Sequence, residues 1–277
     1  MRKFIILCII SIGLVALTAC DSKETDASEK KEIKIGATAG PYSDQLQEGI
    51  VPLLEEAGYT VKITEFSDYI QPNKALEEGD IDANLFQNAI YLEQFNEDHG
   101  MDLVAPYAVP TAPIALYSEK HDSLDDVEDG MKITLPNDPT NLARSLHMLV
   151  DYGWITIDED VKQTTASEKD IIDNPYNLDI QPIEAAQTPR SLSDADFAFI
   201  NGNYALASDL KLSDSVAIEE TPEGFLIYVT LRKGEEEEPF AKALEEAYHS
   251  QAFLDYTNEH SEGYVKPPYQ LEMGADK

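Results

Sequence analysis

The chain has 277 residues, of which 53 are acidic and 20 are basic, so its formal net charge at pH 7 is −33. Such an acidic excess argues against nucleic-acid binding and against a basic membrane-binding face. Hydrophobic residues make up 43% of the chain, which argues against disorder and suffices for one or two packed domains.

The first 19 residues have the pattern of an export signal, with Arg2 and Lys3 at the start and an apolar run over 4–17. The run ends in Leu-Thr-Ala-Cys, which resembles the lipobox of bacterial lipoproteins, where the signal is cut before the cysteine and the cysteine is lipidated. We therefore expect Cys20 to anchor the protein on the extracytoplasmic face of the cell membrane. An uncleaved anchor or plain secretion is the alternative.

Cysteine use agrees with this interpretation, because Cys8 and Cys20 are the only cysteines. A mature chain with a lipidated Cys20 has no free thiol and no disulfide, so its stability must come from a packed core. Residues 20–31 carry no apolar side chain larger than alanine after the cysteine, which predicts a flexible tether.

From Glu32 the hydrophobic pattern alternates between strand and helix periods. The expected elements of this first unit are a strand with Ile33 and Ile35, a helix with Ile50, Leu53 and Leu54 on one face, a strand over 59–66, a helix over 71–78, a strand over 81–86 and a helix over 89–97. Pro72 lies in the first turn of its helix, where proline is favoured.

Three aromatic residues, Tyr69, Phe86 and Tyr91, fall at the predicted strand ends of this unit or just after them. Ligands of open α/β sheets bind in the crevice at the carboxyl ends of the strands. We therefore expect these aromatics to form one wall of a small-molecule pocket. They are equally compatible with an ordinary aromatic core.

The segment 103–117 holds Pro106, Pro110 and Pro113, which disfavour a helix or a central strand and predict an extended crossing between lobes. A second alternating unit follows. Its expected elements are strands over 132–135, 180–183 and 197–200, helices over 141–149 and 204–208, a helix beginning near 188, a β-rich return over 225–231, and final helices over 239–249 and 251–260. Two units joined by two crossings predict an α/β protein with two lobes and a central cleft that closes by hinge motion.

Most catalytic signatures are absent from the sequence, including the nucleophile elbow, the zinc-protease motif and the phosphate-binding glycine loops. The five histidines are scattered and never have metal-ligand spacing. We therefore expect neither an enzyme nor a cofactor or metal site.

Two polar positions suit a binding cleft instead. Arg144 stands in the first turns of a predicted helix, and a guanidinium is matched to a carboxylate. A surface ion pair with Asp151 or Asp138 is the alternative. Asn201 follows a buried type of strand, so its amide is expected at the crevice, although a simple Asn-Gly turn explains it equally well.

Five blocks carry a resemblance to a known family. They read GATAGPYSDQL, EFSDYIQPNKAL with DANLFQNAIYLEQFN, LPNDPTNLAR, IEAAQTPRSL and INGNYAL. In order and spacing they resemble the NlpA family of lipoproteins, the methionine-binding subunits of ABC importers, over nearly the whole mature chain.

The resemblance implies a two-lobe periplasmic-binding-protein fold of type II character, with lobe 1 at 32–111 and 226–277 and lobe 2 at 112–225. It also implies a monomer that binds a small amino acid and works with an ABC permease and its ATPase.

Carried over residue by residue, the family's aromatic pocket falls on Tyr69, Phe86 and Tyr91, and its polar clamp falls on Arg144 and Asn201. Two further pocket positions depart from the family pattern. Asn88 stands where the family usually has histidine, and Ile227 stands where it usually has asparagine. The resemblance therefore implies a retained carboxylate handle with altered contacts to the rest of the ligand.

The ligand candidates are L-methionine, D-methionine, a methionine-containing dipeptide or another apolar amino acid. An enzyme with a dispersed site and a surface interaction lipoprotein without a transport role are the alternatives from other classes. The two departures favour the second of these over the first.

Overall fold

A computed structural model describes residues 31–275. The predicted signal peptide, Cys20 and the tether up to residue 30 lie outside the described residues. The strands are β1 (Glu32–Thr38), β2 (Thr60–Phe66), β3 (Ala83–Asn88), β4 (Val104–Val109), β5 (Ala115–Tyr117), β6 (Lys132–Pro136), β7 (Thr156–Ile157), β8 (Ile171–Asp173), β9 (Asp179–Ile183), β10 (Phe197–Ile200), β11 (Ala217–Ile218) and β12 (Ile227–Leu231).

The strands form two five-stranded sheets and a small β7–β8 pair. The first sheet has the order β2-β1-β3-β12-β4, in which β1 runs parallel to β2 and β3, and β12 runs antiparallel to β3 and β4. The second has the order β11-β5-β10-β6-β9, with parallel pairing between β10, β6 and β9. The predicted α/β class with two lobes is confirmed.

Helices cover the sheets. They are α1 (Pro41–Asp44), α2 (Val51–Glu56), α3 (Gln71–Glu78), α4 (Ala89–His99), α5 (Pro139–Asp151), α6 (Gly202–Leu206), α7 (Pro239–Tyr248), α8 (Gln251–His260) and α9 (Pro268–Met273). A π-helical stretch over Gln45–Ile50 joins α1 to α2. Within residues 31–275, none of the helices combines the length and apolarity that crossing a bilayer needs.

Local signals explain why the best-predicted helices begin and end where they do. Gly79 ends α3 with a φ of 80°, a left-handed conformation that glycine adopts without strain. Asp138 caps α5 by accepting a hydrogen bond from the Asn141 N–H at 3.0 Å, and Pro139 takes the first helical position. Both helices were predicted over 71–78 and 141–149.

The first crossing is shorter than predicted. The segment 103–117 contains β4 of the first sheet and β5 of the second, so only residues 110–114 lie between the sheets. Pro106 is accommodated because β4 is an edge strand, where a missing N–H costs no ladder bond. The return is also shorter, since residues 223–225 form a 3-10 turn and β12 begins at Ile227.

Two other expectations about local structure were wrong. The predicted helix near residue 188 is a 3-10 segment over Pro189–Ser193. β3 ends at Asn88 rather than at residue 86, so Phe86 lies inside the strand. The sequence interpretation also missed α9.

Each sheet has its own hydrophobic core. Ile35, Leu85 and Val229 belong to the core of the first sheet, and Ile133, Leu146 and Phe199 to that of the second. Two separate cores are what a two-lobe protein requires. The residue boundaries proposed for the lobes stay a prediction.

Asp196 ties the second sheet together at the start of β6. Its carboxylate accepts the Lys132 N–H at 2.8 Å and the Lys120 ammonium at 3.2 Å. Burial alone would raise the pKa of the Asp196 carboxyl, but these bonds lower the pKa below its usual range. A carboxyl whose pKa is lowered by folding stabilises the protein at neutral pH and loses this effect as the pH falls through its folded-state pKa.

We expect Asp196→Asn to lower the free energy of unfolding at pH 7 by about 1 kcal/mol. The difference from the wild type should shrink towards pH 3, because the carboxyl then takes up a proton in the unfolded wild-type chain, whereas its lowered pKa keeps it charged to a lower pH in the folded chain. Urea denaturation at the two pH values measures it, with the exposed Asp194→Asn as the matched control. An equal loss at both pH values would contradict the electrostatic explanation.

Candidate ligand-binding cleft

A cavity lies between the two sheets, at the carboxyl ends of β1, β3 and β10. All seven residues that the sequence assigned to a ligand site line it: Tyr69, Phe86, Asn88, Tyr91, Arg144, Asn201 and Ile227. They come from both sheets and from segments more than a hundred residues apart. The structure therefore brings the predicted site together, while the binding role of each residue stays a prediction.

The aromatic wall is a packed group of rings. The ring centroid of Tyr69 lies 5.7 Å from that of Phe86 and 6.0 Å from that of Tyr91. Tyr91 also donates its hydroxyl to the Tyr69 carbonyl at 2.8 Å. The two interpretations of these residues are thus compatible, because the rings pack on one another and also face the cavity.

The two departures from the family pattern are neighbours in the structure. Asn88 and Ile227 are directly opposed in the antiparallel pairing of β3 with β12, so their side chains leave the sheet on the same face. The Asn88 side-chain oxygen Oδ1 accepts the Tyr91 N–H at 2.8 Å and so caps α4. Within residues 31–275 this leaves the Asn88 Nδ2 donor without a partner beside the apolar Ile227.

Arg144 is buried, with 6% of its side chain exposed, and it pairs with neither Asp151 nor Asp138. The predicted surface ion pair was therefore wrong. Its Nε and Nη2 atoms donate to the two carboxylate oxygens of Glu219, and the guanidinium carbon lies 4.7 Å above the centre of the Phe225 ring. The Nη1 atom has no hydrogen-bond partner among the described residues.

The Asn201 side chain bonds to a neighbouring amide, while its backbone starts α6. Its Nδ2 donates to Asn141 Oδ1 at 3.0 Å, and Asn141 Nδ2 in turn donates to Asp138 at 3.0 Å. The side chain makes no capping bond at the start of α6. This chain of amides fixes the Asn201 side-chain oxygen Oδ1, which is buried and has no partner within residues 31–275. The cavity thus has a fixed, free acceptor.

Hydrogen bonds from the start of α6 link the second sheet to the first. Asn203 accepts the Tyr69 hydroxyl at 2.7 Å and donates to Thr38 Oγ1 at 3.3 Å, and Tyr204 donates to the Ser67 carbonyl at 3.3 Å. Burial raises the pKa of the Tyr69 and Tyr204 hydroxyls. Both therefore stay neutral donors at any physiological pH.

These links hold the cleft closed. Space between the lining atoms amounts to about 370 Å³, but only about 20 Å³ of it is wide enough for the centre of a water molecule. This is room for about one water molecule. An amino acid therefore enters only when the lobes or side chains move.

Several lining residues escaped the sequence interpretation, notably Tyr42, Asn141 and Phe225. Asn141 stands in the recognised LPNDPTNLAR block and could have been found there, whereas Phe225 has no local signal. Gly202 is needed for a close approach, because a Cβ atom there would lie 2.6 Å from the carbonyl oxygens of Ala112 and Pro113. It lets α6 pack against the first crossing.

Comparison with known proteins places the chain among lipoproteins of one family. The family model described as NlpA lipoprotein matches residues 33–269. The methionine-binding lipoprotein MetQ of Bacillus subtilis (strain 168) is 36% identical over 272 residues, which is 96% of this chain and 99% of that protein.

The fold is also similar to that of solved structures. A nutrient-binding protein from Burkholderia cenocepacia bound to methionine has a TM-score of 0.80 and 37% identity, covering 84% of this chain and 99% of that one. The substrate-binding protein of a methionine transporter from Streptococcus pneumoniae has a TM-score of 0.78 and 32% identity, covering 85% and 96% of the two chains. Similarity therefore extends over both sheets and the cleft between them.

Proposed function

Because the chain belongs to the NlpA lipoprotein family, we propose that it is the lipid-anchored substrate-binding protein of an ABC importer. Its ligand is methionine or a closely related small apolar amino acid. It receives this ligand outside the membrane and delivers it to a permease driven by an ATPase. It performs no catalysis.

The observation that carries the proposal is that a donor and an acceptor without partners belong to residues lining the same cleft. Within residues 31–275, Arg144 Nη1 is a donor without a partner on a buried cation, and Asn201 Oδ1 is a buried acceptor without a partner. A ligand carboxylate binds the first and a ligand ammonium binds the second. These two contacts fix the backbone of an amino acid.

The aromatic wall then holds the ligand side chain. Phe86 and Tyr91 are buried, with 3% and 8% of their surface exposed. A thioether packs favourably against aromatic rings, and an unbranched chain adapts to an irregular gap. Methionine matches such a wall, and the relatives whose names describe methionine binding support this choice.

Membrane attachment and the transporter partners rest on the family and on the N-terminal sequence. Cys20 carries the lipid and residues 20–31 tether the folded lobes. The similar protein from Streptococcus pneumoniae is described as the substrate-binding protein of a methionine transporter. The permease and its ATPase are therefore the partners we propose.

A different ligand remains the second candidate, and a specific observation favours it. Asn88 and Ile227, the two positions that depart from the pattern the resemblance implies, are opposed in one patch of the cleft wall. A methionine-containing dipeptide or another apolar amino acid would meet that patch. A surface interaction lipoprotein without a transport role is the weaker alternative.

Mass spectrometry of the small molecule released by gentle denaturation of the purified protein tests the proposal. We expect the released compound to be L-methionine, D-methionine or a close relative. Calorimetric titration should then show that the emptied protein binds the same compound. Leucine and a methionine-containing dipeptide serve as comparison ligands. Binding of no amino acid, together with capture of a protein partner, would contradict the proposal and favour the surface-interaction role.

A further inference from the structure

Glu219 is a buried carboxylate that the proposed ligand contacts do not use. It follows β11 and leads into the second crossing, where its N–H donates to the Ile114 carbonyl at 3.1 Å. Only 9% of its side chain is exposed. Besides Arg144, the Thr221 hydroxyl donates to its Oε2 at 2.9 Å. The carboxylate is therefore fixed on both oxygens.

The pair leaves one edge of the guanidinium for a ligand. Glu219 takes Nε and Nη2, and the Phe225 ring covers one face. Arg144 lines the cavity and Glu219 does not, so the carboxylate stands behind the guanidinium as seen from the cleft. The edge with Nη1 remains, and a guanidinium can hold a second carboxylate there in a planar fork.

Glu219 also sets the charge of the site. An arginine alone would attract any carboxylate, including that of an anion without an amine. With Glu219 in place the buried pair is neutral, and an anionic ligand would add a second negative charge beside the first in a desolvated place. A zwitterion also carries an ammonium group, which binds the Asn201 acceptor.

We propose that Glu219 is a positioning residue that orients the Arg144 guanidinium and makes the cleft select zwitterionic amino acids against the matching des-amino acids. This inference rests on the proposed function, since it assumes that the ligand carboxylate binds Arg144. It adds that selectivity against anions comes from a residue behind the binding surface.

The test is calorimetric titration with two probes. One is L-methionine, and the other is its des-amino analogue, which keeps the thioether and the carboxylate but lacks the ammonium. The wild type should prefer L-methionine. In Glu219→Gln this preference should fall at least about tenfold, because the site gains a net positive charge and the anion binds more tightly.

The adjacent Glu220→Gln is the matched control, since it removes the same charge from an exposed position. It should leave the preference unchanged. Glu219→Asp keeps the charge, but its shorter side chain cannot reach both Nε and Nη2. We expect it to keep the preference while losing about tenfold in affinity for L-methionine.

An unchanged preference in Glu219→Gln would overturn the inference while leaving the proposed function intact. If that variant does not fold, Glu219→Asp decides, because an unchanged affinity for L-methionine would show that Glu219 does not position Arg144. A wild type that binds neither probe would overturn the inference, and it would overturn the proposed function as well if the protein also binds no other amino acid.

Discussion

Arg144→Ala should remove most of the ligand binding. The substitution deletes the buried charged donor at Nη1 that we assign to the ligand carboxylate. Losing one partner of a buried charged hydrogen bond costs about 2–5 kcal/mol, which is a loss in affinity of about 30-fold to several thousand-fold. Calorimetric titration with L-methionine measures the loss directly.

Two further variants separate binding from folding. Arg190→Ala removes an arginine of the same lobe from an exposed position and should bind as the wild type does. Arg144→Ala combined with Glu219→Gln removes the unpaired buried carboxylate that the single variant leaves behind. An unaltered affinity in the folded Arg144 variants would refute the carboxylate assignment.

Asn73→Ala should cause the largest loss of stability among the variants considered. Asn73 lies on α3 and is fully buried. It exchanges hydrogen bonds with Gln87 at 2.8 and 2.6 Å and accepts one from Asn84 Nδ2 at 2.9 Å. Alanine would leave Gln87 Oε1 without a partner and would remove one bond each from Gln87 Nε2 and Asn84 Nδ2. We therefore expect the free energy of unfolding to fall by about 3–5 kcal/mol.

Urea denaturation measures this loss, and the exposed Glu77→Ala on the same helix serves as the control. The wild-type dependence on urea concentration should be kept if the variant still unfolds in one step. A loss below about 1 kcal/mol would mean that water replaces the amide. In that case the network would not be what holds α3 against β3.

Local signals allowed most elements to be predicted from the sequence. Pro139 after Asp138 and Pro72 mark the starts of their helices, and the alternation around Ile33 marks β1. Such signals act within a few residues, so they are legible in a single chain. The 3-10 segment over Pro189–Ser193 was wrongly predicted as an α-helix, because an X-Pro start is equally compatible with an α-helix.

The site could be predicted only in part, because its residues are far apart in the sequence. Residue patterns alone left Tyr69, Phe86 and Tyr91 undecided between core and pocket, and the family resemblance selected the pocket. Glu219 was missed because it lies 75 residues from Arg144 and has no distinctive neighbours. Among so many acidic residues, only the folded chain identifies the one that pairs with the cleft arginine.

The strand order of the first sheet has a consequence for how the chain acquires its shape. β12 is inserted between β3 and β4, so residues 227–231 complete a sheet that begins at Glu32. All strands of the second sheet lie between Ala115 and Ile218. A chain that emerges from its N-terminus can therefore finish the second sheet while the first still lacks an inner strand. Sequence separation of this kind slows folding, which keeps one half of the molecule unfinished until nearly the whole chain is available.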